Sequence, residues 1–197
     1  MTSDRLPIVT PADNIPGPKQ GRWTYKDYAA LPDNGQHYEI VNGVLFMTPA
    51  PNISHQDAVG RFFLYLFTHV ESARIGRVFV APLDVELAPN VVVQPDVIVV
   101  LNANLDKITE TRIIGAPDLV VEVASPGTAG HDRRTKQDAY ARAGVPEYWV
   151  ANPEARNVEV LVLEAGEYFS LGVFRGQATL PSKVLPGLTT HVEQFFA

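Results

Sequence analysis

Pro117-Asp118-Leu119-Val120-Val121-Glu122-Val123-Ala124 reads as a turn followed by a strand, and its one strand charge decides how the chain is understood. The β-branched and aliphatic residues suit a pleated surface. Alternation sets Leu119, Val121 and Val123 on one face and Val120 and Ala124 on the other, so both faces are apolar. A strand of that kind lies inside a sheet covered on both sides. Glu122 breaks the pattern, because a carboxylate there is costly to desolvate unless a cation or strong donors compensate it.

Upstream, Val91-Val92-Val93-Gln94-Pro95-Asp96-Val97-Ile98-Val99-Val100 holds a second lone acid between apolar runs. Pro95 cannot donate to a ladder and marks a bend or an edge. If the two strands are neighbours, Asp96 and Glu122 can share one hard divalent cation, Mg²⁺ or Mn²⁺, for which oxygen ligands are suited. Downstream, residues 132–143 read as a helix ended by Gly144 and Pro146. Helical spacing puts Arg133, Lys136 and Tyr140 on one face, with Ala139 and Ala143 near them, so that face looks inward. Ala124 projects to the same side as Glu122 and leaves room for Lys136 to reach over. An acid-acid-lysine site can activate water and stabilise charge on a phosphate, which is metal-assisted phosphodiester hydrolysis.

The remaining elements surround this centre. Residues 23–31 read as a short helix capped by Thr24 and stopped by Pro32. His37-Tyr38-Glu39-Ile40-Val41, Asn42-Gly43 and Val44-Leu45-Phe46-Met47 form a hairpin with a type I′ turn. Ser54-His55-Gln56-Asp57 has capping-box spacing, and Ala58, Val59, Phe62, Phe63, Leu66, Phe67 and Val70 carry an amphipathic helix to about residue 73. Residues 77–87 and 91–101 read as neighbouring antiparallel strands. Residues 147–151 form a further strand, and 158–163 pair with 167–171. This order predicts an α/β fold with one sheet of mixed direction and helices against it.

Composition narrows the function. The 197 residues fit one domain, 23–197, preceded by an extended or flexible arm over residues 1–22. With 46% hydrophobic and 19% charged residues the chain can build its own core. The absence of cysteine excludes disulfides, zinc-thiolate sites and a cysteine nucleophile. A net charge of −6 is the reverse of a general nucleic-acid coat, so a nucleic-acid substrate needs a local site. No apolar run is long enough to span a membrane, and residues 1–20 have no apolar centre such as a signal peptide has. A cytoplasmic protein without a membrane partner is expected.

Gln94-Pro95-Asp96-Val97, then Pro117 through Thr128, then Asp132, Lys136, Tyr140 and Gly144-Val145-Pro146-Glu147-Tyr148-Trp149-Val150 resemble the Uma-two family of bacterial endonuclease-like proteins. That family belongs to the restriction-endonuclease-like PD-(D/E)XK superfamily. The likeness extends to Tyr38-Glu39-Ile40-Val41-Asn42-Gly43 and to Leu185-Pro186-Gly187-Leu188. It implies a mixed central sheet flanked by helices, a metal site on Asp96, Glu122 and the Val123 carbonyl, Lys136 as basic partner, and Glu39 as a supporting acid. The lysine that the superfamily carries two residues after the glutamate is Ala124 here, and Lys136 is its natural substitute.

The expected activity is Mg²⁺-dependent cleavage of DNA, with Tyr140 and His55 as supports and a homodimer as a plausible assembly. The rival is the same fold kept as an inactive nucleic-acid-binding or protein-interaction module. Bland structural readings stand beside the functional ones. Glu39 also fits an ion pair across its hairpin, His55 an exposed first turn, Asp57 a cap, and Asp118 an exposed turn. Arg134 and Arg142 fit a solvated helix face. Ser125-Pro126-Gly127-Thr128-Ala129-Gly130 lacks a phosphate-loop ending and reads as a turn. No nucleophile elbow is present, and Trp23 and Trp149 do not flank the acids as a sugar cleft would require.

Overall fold

The valine-rich stretch around Asp96 changes sheets at Gln94-Pro95-Asp96 instead of running straight through one. The computed structural model describes residues 9–124 and 131–197, the side chains of 131–133 excepted. Its elements are β1 (Thr10–Pro11), α1 (Tyr25–Tyr28), β2 (His37–Val41), β3 (Val44–Thr48), α2 (Ile53–Val70), β4 (Gly76–Val80), β5 (Val85–Ala88), β6 (Val91–Val93), β7 (Val97–Leu101), β8 (Ile113–Ile114), β9 (Leu119–Val123), α3 (His131–Ala143), β10 (Glu147–Asn152), β11 (Asn157–Glu164) and β12 (Glu167–Arg175). Single 3₁₀ segments follow β7 and close the chain, the latter at Val192–Phe196.

Two six-stranded sheets result, a central one in the order β12-β11-β10-β9-β7-β4 and a second in the order β1-β3-β2-β6-β5-β8. The central sheet is mixed, since β9 and β10 run parallel and its other pairs antiparallel. The second sheet was not expected. Residues 77–87 and 91–101 are each cut in two: β4 pairs with β7 in the central sheet, and β5 with β6 in the second. Pro82 and Pro95 lie in the two breaks, where a residue without an N–H leaves the ladder.

Both faces of β9 are covered, as its composition requires. Leu119, Val121 and Val123 pack with Phe62 and Leu66 of α2, Trp149 of β10 and Phe195. Val120 packs with Ile98, Tyr140 and Tyr148, and with Val41, Val85 and Val93 of the second sheet. Thus α2 lies on one face of the central sheet, while α3 and the second sheet lie on the other. Burial of each large apolar side chain here stabilises the fold by about 1.5–3 kcal/mol.

Local signals set the element ends. Asn42 and Gly43 have φ of 53° and 74°, the left-handed pair that a type I′ turn needs. A Cβ on Gly43 would lie 2.5 Å from the Gly21 carbonyl oxygen, so the arm packs closely on this turn. Thr10 and Pro11 pair with Met47 and Phe46. Helix α1 is shorter than expected, with the Thr24 N–H and hydroxyl donating to Asp27 at 3.0 and 2.6 Å. Helix α2 is capped by Asn52, not Ser54: Asn52 Oδ1 accepts the His55 N–H at 2.9 Å. Asp57 is not a cap and instead pairs with Arg61 at 3.3 Å.

Asp118 is buried, contrary to the exposed turn expected of it. Its oxygens accept the Leu101 N–H at 2.7 Å and the Asn104 side chain at 2.8 Å, which fastens the end of β7. Residues 125–130, read from sequence as a turn, lie outside the described residues. Among the described residues no helix is long and apolar enough to cross a membrane.

Candidate active site

Strand alternation turns Glu122 to the face of Val120, the one that α3 covers. On α3, Lys136, Ala139 and Tyr140 form one buried stripe at three- and four-residue spacing. The Tyr140 hydroxyl donates to Glu122 Oε1 at 2.6 Å, and Lys136 Nζ lies 3.2 Å from the same oxygen. An ammonium from the following helix thus lies against Glu122.

Glu39 shares the inward face of β2 with Val41 and is only 2% exposed. Its ion pair with Lys136 reaches out of the hairpin to α3. Its Oε2 lies 2.9 Å from Lys136 Nζ, and its Oε1 accepts the Gln94 N–H at 2.7 Å. Lys136 therefore stands between an acid of each sheet.

Asp96 lies just ahead of β7 instead of within a strand. The register pairs Val97 with Val121, which brings Asp96 beside the end of β9. Its Oδ2 accepts the Val123 N–H at 2.7 Å and lies 3.2 Å from His55 Nε2. Although His55 is in the first turn of α2, its side chain is 12% exposed and points at an acid instead of solvent. His55 Nδ1 is shielded and has no hydrogen-bond partner among the described residues.

Charge follows burial. Desolvation is the main influence on Glu122 and, with the like charges of Asp96 and Glu39, raises its pKa to about 7 against the opposing pull of Lys136 and Tyr140. The Tyr140 phenol is pushed well up by burial and by the Glu122 and Glu39 charges. Burial draws the His55 imidazole down, but the Asp96 hydrogen bond and the Asp96 and Glu122 charges outweigh it, so its pKa ends above the usual value. The Asp96 and Glu39 carboxyls thus both oppose ionisation of Glu122.

Among the described residues no three His, Asp or Glu side chains are gathered tightly enough to enclose an ion by themselves. Magnesium does not require such a cage. It keeps several waters and is held by one or two carboxylates. A buried carboxyl already raised by its neighbours is the kind of group that a dication relieves, so the donors fit Mg²⁺ or Mn²⁺ better than a softer ion.

A family described as "Putative restriction endonuclease", Uma2, matches residues 25–193. The chain belongs to the Uma2 family. Its structure is similar to the crystal structure of "a putative nuclease belonging to DUF820" from Anabaena variabilis ATCC 29413. The TM-score is 0.74 at 20% identity, over 88% of this chain and 97% of the other. That likeness establishes the restriction-endonuclease-like fold. No curated protein matches the chain.

Within this Uma2 chain the remaining basic residues have other places. Arg134 is exposed, and Arg142 donates to Asn42 at 2.9 Å, tying α3 to the β2–β3 turn. The Arg133 side chain lies outside the described residues. Sequence reasoning undervalued His55 and did not single out Gln94. The Asn52-x-x-His55 spacing was visible, but nothing local tells a first-turn histidine that an acid lies against it.

Proposed function

We propose that this Uma2 chain is an endonuclease that hydrolyses DNA phosphodiester bonds with Mg²⁺ or Mn²⁺. Asp96, Glu122 and the Val123 carbonyl would hold the ion. The observation that carries this reading is the placement of Lys136 between Glu39 and Glu122, with Asp96 at the neighbouring strand end.

Each side chain has a task. Tyr140 keeps Glu122 oriented and favours its ionised form through a short hydrogen bond. His55 and the Val123 N–H hold Asp96. Lys136 offers an ammonium beside the acids, where it can stabilise charge developing on a phosphate or take part in proton transfer from water. When bound, the cation supplies a Lewis acid and lowers the pKa of water. A twofold dimer would place two such centres on opposite strands of a duplex.

A panel of single- and double-stranded DNA and RNA, incubated with Mg²⁺, Mn²⁺ or EDTA, tests this directly. Cleavage of DNA that needs the metal and is lost in D96A and E122A is expected. The rival reading, a non-catalytic module, draws on the ion pairs by which Lys136 already compensates Glu39 and Glu122. Tight DNA binding by the wild type without cleavage under any metal would favour it.

A further inference from the structure

Gln94 is held by both its backbone and its side chain. Its N–H donates to Glu39 Oε1 at 2.7 Å. Its Nε2 donates to Asp84 Oδ1 at 2.9 Å and to the Tyr28 hydroxyl oxygen at 3.2 Å. The Tyr28 hydroxyl in turn donates to the same Asp84 oxygen at 2.9 Å, closing a triangle. Tyr28 ends α1, Asp84 precedes β5 and Gln94 follows β6, so three separate segments meet on one amide. The Tyr28 phenol is raised by burial and then by Asp84, which keeps its donor proton in place.

The location matters as much as the bonds. Gln94 is the first residue after the chain leaves the second sheet, and Asp96 is the last before it enters the central one. Only Pro95 lies between them, and its ring fixes its own φ and restricts the residue before it. Whatever fixes Gln94 therefore limits where Asp96 can stand.

We propose that Gln94, clamped by Asp84 and Tyr28, is a positioning residue that sets Glu39 through its N–H and Asp96 through the Gln94-Pro95-Asp96 crossover. It touches no reacting atom. Its functional meaning rests on reading Asp96 and Glu122 as one metal site, but its structural effect can be measured without metal. The Val123 N–H reports the position of Asp96, since it donates to that carboxylate.

The test compares amide hydrogen exchange of the full-length wild type, Q94A, D84A and D84N without metal. Loss of a hydrogen bond to a charged group is worth about tenfold or more in local opening. Val123 exchange should accelerate by about that factor in Q94A and D84A while Val121, in the same strand, stays unchanged. D84N retains an acceptor oxygen for both donors and should remain within about threefold of wild type. Unchanged Val123 exchange in Q94A and D84A overturns the proposal, and so does an equal acceleration at Val121, which would mark general loosening. Should Q94A or D84A fail to fold, Y28F removes two of the three bonds of the triangle, leaving that of Gln94 to Asp84, and is read in the same way.

Calorimetric titration of the same proteins with Mn²⁺ reads the second claim. Weaker Mn²⁺ binding in Q94A and D84A, with D84N close to wild type, supports both claims together. A wild type that binds no Mn²⁺ overturns the metal reading, and selective acceleration at Val123 would still uphold the positioning role.

Discussion

The Tyr140 hydroxyl meets Glu122 Oε1 at 2.6 Å from a helix that begins eight residues beyond the end of the Glu122 strand. That contact joins the two parts of the site that strand pairing alone cannot join. It also opposes the rise in the Glu122 pKa. Replacing Tyr140 by Phe keeps the ring and removes the bond. Glu122 should then be protonated to a higher pH, so metal binding and cleavage should require a more alkaline solution. The pH profile of Mn²⁺ affinity in Y140F checks this, at a stability cost of about 1–3 kcal/mol.

Glu122 also makes folding stability depend on pH. Its folded pKa of about 7 lies above the ordinary 4.5, so between those values the folded chain binds more protons than the unfolded one. Its contribution is therefore fully present below the ordinary value and is lost as pH rises through the folded one. The loss is on the order of 3–4 kcal/mol at most. Denaturation in EDTA from pH 4 to 8 should show this decline in the wild type, and E122Q should flatten it.

Lys136 compensates two buried acids at once. Substitution by Met should destabilise the chain by about 3–5 kcal/mol, because it removes the cation that two buried carboxyls share. Adding E39Q to K136M should recover part of that loss. Urea denaturation of the two single variants and the double variant measures the coupling.

The two Pro-Asp pairs should behave oppositely. Asp118 caps a strand end and is remote in role from the acids, so D118A should cost about 1–3 kcal/mol of stability and leave Mn²⁺ affinity unchanged. D96A should abolish Mn²⁺ binding. Parallel melting and calorimetry on the two variants separate a structural acid from a ligating one.

Much of the fold was legible because its signals are local. The apolar faces of β9, the Asn42-Gly43 turn and the helical spacing from Ala58 to Val70 each depend on residues close in sequence. The inward stripe of Lys136, Ala139 and Tyr140 was legible in the same way, and so was the oddity of Glu122. What stayed hidden was long-range. Val91 to Leu101 looks like one apolar run, and a proline signals a bend without saying that the chain leaves one sheet for another. The contact of His55 with Asp96 spans 41 residues, and that of Glu39 with Lys136 spans 97. Asp118 was misread because a turn acid looks exposed until the 3₁₀ segment after β7 folds over it.

The central claim is that Asp96 and Glu122 hold one dication, and calorimetric titration of Mn²⁺ into the metal-free wild type and E122Q at pH 8 tests it most directly. One saturable site in the wild type, absent in an E122Q protein that melts cooperatively, is the predicted result. Absence of saturable binding in the wild type, or equal affinity in E122Q, would contradict it.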